Sequence, residues 1–232
     1  AITFCDPVVN TDGLGPEQIR ALLIESGLWT TFRTRPYGKT PQISSTPASL
    51  FVTAVDTEPL AADPLVIIQQ DSEHLTLGLK ILRRLLDVPI HYCIGSRSLE
   101  SWEEVDGIDY WSFSGPHPAG LASTHIHFID PVQETKFVWH IGYQDVIAIG
   151  HLFATGQLML KRTISPAGTG VIKPGLVTTR LGAYLPDLCR REMTLDDLRI
   201  ISGSVLSGRE AKDSYAFLGR FHNQVSAIED SS

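Results

Sequence analysis

Two short apolar segments flank an amphipathic one in this sequence, and their alternation limits the folds open to the chain. Leu50–Val55 and Ile90–Ile94 have the length and apolar character of buried strands. Between them, Ser72–Leu86 carries leucines at positions 75, 79, 82 and 86, the spacing of one face of an α-helix. A strand, a helix and a second strand in this order predict a parallel βαβ unit. The expected fold class is therefore α/β, with a Rossmann-like and mostly parallel sheet.

Further segments extend this pattern to residue 156. The apolar spacing of residues 16–26 and of Tyr143–Thr155 predicts two more helices, each followed by a glycine suited to a helix C-terminus. More strands are predicted at Tyr110–Phe113, Thr124–Ile129 and Lys136–His140. We expect residues 1–156 to form one Rossmann-like domain.

The sequence changes character after Gly156, where glycines become frequent and β-prone runs are short. A short helix is expected near Leu185–Arg190. Strands are predicted at Leu158–Ile164, Leu176–Thr179, Arg199–Ile201 and Gln224–Ile228. We expect residues 157–229 to form a separate, small α+β domain, with 230–232 as a frayed tail.

Composition argues against several classes of ligand. The net charge of -7 disfavours binding to nucleic acid or to an anionic lipid surface, since both need a basic face. No run approaches the roughly 20 apolar residues of a membrane-spanning helix. The three cysteines, Cys5, Cys93 and Cys189, lie too far apart in sequence to suggest a Cys-x-x-Cys zinc site or an iron–sulfur cluster.

A pair of histidines raises the question of a metal site. On the predicted strand Thr124–Ile129, His125 and His127 would point the same way, as a zinc-chelating pair must. A third ligand could come from His117, His140 or Asp130. The alternative is that the pair only forms hydrogen bonds and packs against a neighbouring segment.

The segment from Trp29 to Lys39 combines aromatic and cationic side chains, with one proline within it (Pro36) and another just after it (Pro41). Such residues are enriched at binding hot spots, which predicts a docking site. The alternative is that Trp29 and Phe32 belong to the core and that the charges are merely solvated. The side chains concerned are Trp29, Phe32, Arg33, Arg35, Tyr37 and Lys39.

An acidic stretch follows the strand Leu50–Val55 and includes Glu58 and Asp63. In open α/β sheets, ligands bind beyond the carboxyl ends of the strands, which is where this stretch begins. Its negative charge would repel phosphate. We therefore expect either a cation-facing loop or a solvated structural one.

Several longer strings together resemble one family. Over most of its length, the chain resembles the A subunits of the Na⁺-translocating NADH:quinone oxidoreductases. The strings are residues 23–30, 32–36, 60–64, 114–120, 124–132 and 143–150.

The resemblance implies a peripheral subunit on the cytoplasmic face of the bacterial inner membrane. It implies a six-subunit complex that passes electrons from NADH to ubiquinone and exports Na⁺. The flavins and iron centres would belong to other subunits, so this chain would bind no cofactor itself and would not be catalytic alone. The resemblance also implies a piece of a longer protein, without an N-terminal lipoyl-like domain and a C-terminal helical part.

More distant relatives are the flavin-binding subunits of respiratory complex I, in which a Rossmann-like domain precedes a soluble-ligand-binding β-grasp domain. The resemblance implies the same β-grasp fold for residues 157–229 of this chain. They carry a glycine-rich flavin loop where this chain has Trp29, Phe32 and Arg33. Bulky side chains there would prevent close approach of a flavin phosphate. The resemblance therefore predicts a vestigial cofactor crevice at Glu58 and Asp63.

In that reading, the six aromatic and cationic side chains lie near ubiquinone or dock a partner protein of the complex. Two alternatives remain. One is a self-contained metal-dependent enzyme that uses His125 and His127, and the other is a residual dinucleotide site near Glu58.

Overall fold

The computed structural model of the chain describes residues 2–8, 10–96, 104–173, 175–192 and 198–229, which form two compact units. The first unit comprises Ala1–Val55 and Pro64–Met159, and the second comprises Asp56–Asp63 and Leu160–Ser232. The predicted boundary after residue 156 lies close to the division at 159/160. A contiguous division of the chain nevertheless misses that Asp56–Asp63 belongs with the second unit.

The first unit is built on a five-stranded sheet whose spatial order is β1-β5-β2-β3-β4. Its strands are Arg33–Arg35 (β1), Leu50–Ala54 (β2), Ile90–Gly95 (β3), Asp109–Phe113 (β4) and Val138–Gly142 (β5). Strands β2 to β5 pair in parallel, and only β1 runs antiparallel, along β5. The predicted mostly parallel sheet is confirmed.

Helices cover both faces of this sheet. They are Pro16–Glu25 (α1), Pro64–Gln70 (α2), Ser72–Leu85 (α3), Ala122–Ile129 (α4) and Tyr143–Thr155 (α5). Helices α3 and α5 pack closely, because each presents a glycine where they meet: a Cβ at Gly78 would lie 2.2 Å from the Val146 carbonyl oxygen. Helix α5 has the bounds that the apolar spacing predicts.

The predicted strand Thr124–Ile129 is wrong, since these residues lie in helix α4. The helix makes the crossover from β4 to β5, which are not neighbours in the sheet. Its residue Ile126 packs with Phe51, Cys93 and Val138 of three strands. A helix can cover that apolar face while satisfying its own backbone groups, so the packing outweighs the β-prone local sequence.

The second unit is a five-stranded mixed sheet in the order β7-β6-β10-β8-β9, with one α-helix among the residues that the structure describes. The strands are Lys161–Ala167 (β6), Val177–Arg180 (β7), Leu198–Ser202 (β8), Arg209–Glu210 (β9) and Gln224–Glu229 (β10). The helix, Leu185–Glu192 (α6), buries Leu185 and Cys189 against Ile164 and Val225 of the sheet. These elements agree with the predicted α+β class, although β9 was not predicted.

Hydrogen bonds hold the segment Asp56–Asp63 within the second unit. The Ser165 hydroxyl donates to the Leu60 carbonyl at 3.1 Å. The Gln224 side-chain amide donates to the Pro59 carbonyl at 2.8 Å. Side chains of β6 and β10 therefore bind backbone carbonyls of a segment more than a hundred residues earlier in the chain.

Candidate functional site

The aromatic residues at the start of the Trp29–Lys39 segment belong to the core. Trp29 lies in a 3₁₀ turn over Leu28–Thr31 and is 4% exposed, and Phe32 is fully buried. The ring centroids of Trp29 and Phe32 lie 5.6 Å and 5.5 Å from that of Trp139 on β5. The Trp29 indole N–H donates to the Pro41 carbonyl at 3.0 Å. Both rings stabilise the first unit, which is the alternative that the sequence left open.

The two arginines of the segment lie side by side on strand β1. Its register places Arg33 opposite His140 of β5, so Arg33, Arg35 and His140 share one face of the sheet. All three side chains are partly buried. Burial, and then the charge of Arg33, lower the pKa of Arg35. Burial, followed by the charges of Arg35 and Arg33, lowers the pKa of His140 to about 3, which leaves the imidazole neutral at pH 7.

The next residues form a tight turn that projects Tyr37 from the surface. The Gly38 N–H donates to the Thr34 carbonyl and the Thr34 N–H to the Lys39 carbonyl, each at 2.8 Å. Tyr37 has a φ of 79° and is 85% exposed. A tyrosine in the left-handed region is uncommon, and here the backbone hydrogen bonds on both sides hold it in place.

Tyr37 and Lys39 line a cleft of about 330 Å³ within the first unit. Eight residues between Thr34 and Ser45, Arg35 not among them, form one side of this cleft, and residues 133–137, which precede β5, form the other. Its apolar surface comes from residues such as Pro36, Pro41 and Phe137, of which Phe137 is 39% exposed. The volume is in the range of small-molecule sites, about 300–1,000 Å³. Sequence reasoning missed the side formed by 133–137, because the two segments meet only through the pairing of β1 with β5.

The acidic residues Glu58 and Asp63 lie in the segment that folds with the second unit. The Glu58 N–H donates to the Asp56 carboxylate at 2.9 Å, which closes a small turn. Glu58 is partly buried and its Oε2 is shielded from solvent, whereas Asp63 is exposed. The vestigial cofactor crevice remains a prediction.

The two histidines of α4 do not form the chelating pair that a strand would have given. Side chains two residues apart on a helix point about 200° apart. His125 is fully buried and its Nε2 donates to the Ala119 carbonyl at 2.9 Å, while burial lowers its pKa despite that bond. His127 is exposed beside Phe128. Among the described residues, no three His, Cys, Asp or Glu side chains are grouped so that they could hold a metal ion.

Two protein-family models match the chain. Residues 14–158, more than half of the chain, match the model described as the NqrA second alpha/beta domain. The chain belongs to the NqrA family. Residues 163–213 match the model described as the NQRA C-terminal domain. The two matches follow one another on either side of the division at 159/160.

Individual relatives agree with this NqrA assignment. The chain is 50% identical over 217 residues to the A subunit of the Na(+)-translocating NADH-quinone reductase of Yersinia pestis, covering 94% of this chain and 48% of that protein. It is 51% identical to the protein of the same name from Pseudomonas aeruginosa, with the same coverage. The chain thus spans about half the length of these relatives.

Solved structures share the fold at low sequence identity. An NAD⁺-reducing [NiFe]-hydrogenase in the H₂-reduced state superposes with a TM-score of 0.60 and 13% identity, covering 94% of this chain and 50% of the other. The air-oxidised form of that hydrogenase gives a TM-score of 0.61 over 47% of its chain.

No helix among the described residues of this NqrA chain has the length and apolar character needed to cross a membrane.

Proposed function

We propose that this chain works as a peripheral part of the Na⁺-translocating NADH:quinone reductase, on the cytoplasmic face of the bacterial inner membrane. In that complex of six subunits, electrons pass from NADH to ubiquinone and Na⁺ is exported. The observation that carries the proposal is the match of both units, in chain order, to the two NqrA domain models. The relatives' shared name, which places them in this reductase, supports it.

We also propose that the chain contributes no redox cofactor, and that the flavins and iron centres lie in other subunits. The buried rings of Trp29 and Phe32 support this role, because they occupy the stretch where a flavin loop would need small residues. Electron transfer would then pass through partner subunits, and this chain would shape the surroundings of the quinone.

The cleft beside Tyr37 is the part of the chain that we assign to ubiquinone. A quinone ring needs a flat apolar surface and one or two hydrogen-bond donors for its carbonyl oxygens. Tyr37 is held out on a tight turn at the rim, and the Lys39 ammonium lines the same cleft. The cleft could hold a ring of this size without rearrangement of the core.

Titration of the chain with a short-chain ubiquinone tests this assignment. Tyr37→Asn replaces the aromatic side chain with asparagine, a residue that tolerates the left-handed backbone conformation. We expect its quinone affinity, measured by calorimetry, to fall about tenfold, as for the loss of about 1.4 kcal/mol of contact energy. The matched control is Tyr215→Asn, which removes another exposed tyrosine, from the second unit, and should leave the affinity unchanged.

Equal affinity of the two variants, or no binding by the unmodified chain, would contradict the quinone assignment. The same substitution in the full-length protein then tests partner docking instead. Loss of membrane-bound NADH:quinone reductase activity together with loss of this protein from the membrane would identify the cleft as a docking surface.

A further inference from the structure

One face of the β1–β5 edge contains polar side-chain atoms without hydrogen-bond partners. Arg35 and His140 are diagonal neighbours across the antiparallel pair, because Arg35 stands opposite Val138 and His140 opposite Arg33. Diagonal residues on one face lie about 7–8 Å apart at the backbone, within reach of a long side chain. The charge of Arg35 is the largest charge effect on His140, consistent with close approach.

The Nε–H of the Arg35 guanidinium lacks a hydrogen-bond acceptor. Its Nε is shielded from solvent and has no hydrogen-bond partner, and no carboxylate among the described residues pairs with the side chain. Arginine stays charged in proteins and carries five N–H donors. A shielded guanidinium N–H without an acceptor is uncommon, since buried polar groups are usually hydrogen-bonded.

His140 has the same deficit. Its Nε2 is shielded from solvent and unpartnered. His125, which also acts electrostatically on His140, already donates from its Nε2 to the Ala119 carbonyl. The Nδ1 of neutral His125 is therefore an acceptor, but it has no hydrogen-bond partner either, so it does not accept from His140. Arg33 has interactions of its own. The Nε–H of Arg35 and the Nε2 of His140 remain without a hydrogen-bond partner.

We propose that Arg35 and His140 bind one carboxylate group. A carboxylate has two oxygens in a plane, which matches the planar fork of a guanidinium and leaves lone pairs for an imidazole N–H. Phosphate would bring further oxygens that the two donor groups cannot satisfy. The carboxylate comes either from a small organic acid or from an Asp or Glu side chain of a partner protein, and the chemistry is the same in both cases.

NMR of the His140 ring during a titration with acetate tests the site. Neutral acetamide, which has the same shape as acetate, is the control. We expect acetate to shift the His140 signals in a saturable way, and acetamide to leave them in place. Arg35→Gln should weaken acetate binding about tenfold or more, since it removes the charged fork. Arg180→Gln, on the exposed surface of β7, is the matched control and should bind acetate as the unmodified chain does.

If Arg35→Gln fails to fold, Arg35→Lys and His140→Gln decide the question. Lysine keeps the positive charge but lacks the planar fork of arginine. The Arg35→Lys variant should therefore bind acetate more weakly than the unmodified chain, but still measurably. Equal responses to acetate and acetamide, unsaturable shifts, or unchanged acetate affinity in all the Arg35 and His140 variants that fold would overturn the carboxylate site.

Assembly of the membrane complex by the full-length protein identifies the source of the carboxylate. If Arg35→Gln abolishes assembly of the membrane complex, a partner side chain supplies the group. If assembly persists and acetate still binds to the unmodified protein, the ligand is a small organic acid. Neither Arg35 nor His140 lines the cleft beside Tyr37. A failure to detect quinone binding at that cleft would therefore not count against the carboxylate site.

Discussion

At the scale of single residues, Gly150 sets how closely α3 and α5 approach. A Cβ at this position would lie 1.8 Å from the His74 carbonyl oxygen and 2.7 Å from its carbon. Both obstacles are backbone atoms of a neighbouring helix, so no side-chain rotation can relieve the overlap. The two helices could accept a methyl group only by moving apart, and they form much of the core beside the sheet.

We therefore expect Gly150→Ala to lower the free energy of unfolding by about 2 kcal/mol or more, the scale of an overpacked core. Gly13→Ala is the control, because no heavy atom lies within 4 Å of a Cβ there. That variant should stay within about 0.5 kcal/mol of the unmodified chain. Urea denaturation followed by circular dichroism measures both. Similar midpoints for the two variants would show that α3 and α5 are not in such close contact.

At the scale of elements, α4 shows what local sequence can and cannot predict. His125 to Phe128 alternates polar and apolar residues and includes a β-branched isoleucine, both typical of a strand. The helix forms because a crossover between two distant parallel strands must cover the sheet, which is a non-local requirement. Helix α5 was predictable because its long apolar run already fits a buried helix. Strand β1 has three residues and no apolar alternation, so its pairing with β5 left no local signal.

The helical placement gives the two histidines of α4 different expected roles. His125→Ala removes a buried ring and its hydrogen bond to Ala119, and should cost about 2–3 kcal/mol of stability. His127→Ala removes an exposed ring and should cost less than about 0.5 kcal/mol. We also expect the chain to retain less than about 0.1 equivalent of zinc, where a true site would approach one.

Thermal unfolding and elemental analysis of both variants check this contrast. Stoichiometric zinc that is lost equally from the two variants would restore the metal-site alternative. In that case α4 would have to rearrange to bring both imidazoles to one ion.

At the scale of the whole molecule, the family and the fold class were predictable from sequence, whereas the composition of the two units was not. The helix and strand periods predict an α/β unit followed by an α+β unit, and the structure contains both. The inclusion of Asp56–Asp63 in the second unit depends on hydrogen bonds from Ser165 and Gln224. Contacts across a hundred residues leave no trace in local composition. The same holds for the cleft beside Tyr37, whose two sides are also distant in sequence.

If Asp56–Asp63 is part of the second unit, a fragment of residues 160–232 should be incomplete. We expect a peptide of residues 56–63, added in excess, to raise the melting temperature of that fragment, because it restores the acceptors of Ser165 and Gln224. A peptide of the same composition in scrambled order should have no effect. Calorimetry of the fragment with each peptide measures the difference, and identical melting curves would contradict the shared unit.

The position of Asp56–Asp63 in the chain also constrains the order of events during synthesis. The segment leaves the ribosome before Leu160, the first residue of the rest of its unit, has been translated. At translation rates of about 5–20 residues per second, the delay is roughly 5–20 s, longer than small domains generally take to fold. The nascent chain must therefore keep this segment accessible while the first sheet closes around β2. The second unit can be completed only late, when β6 and β10 emerge to bind it.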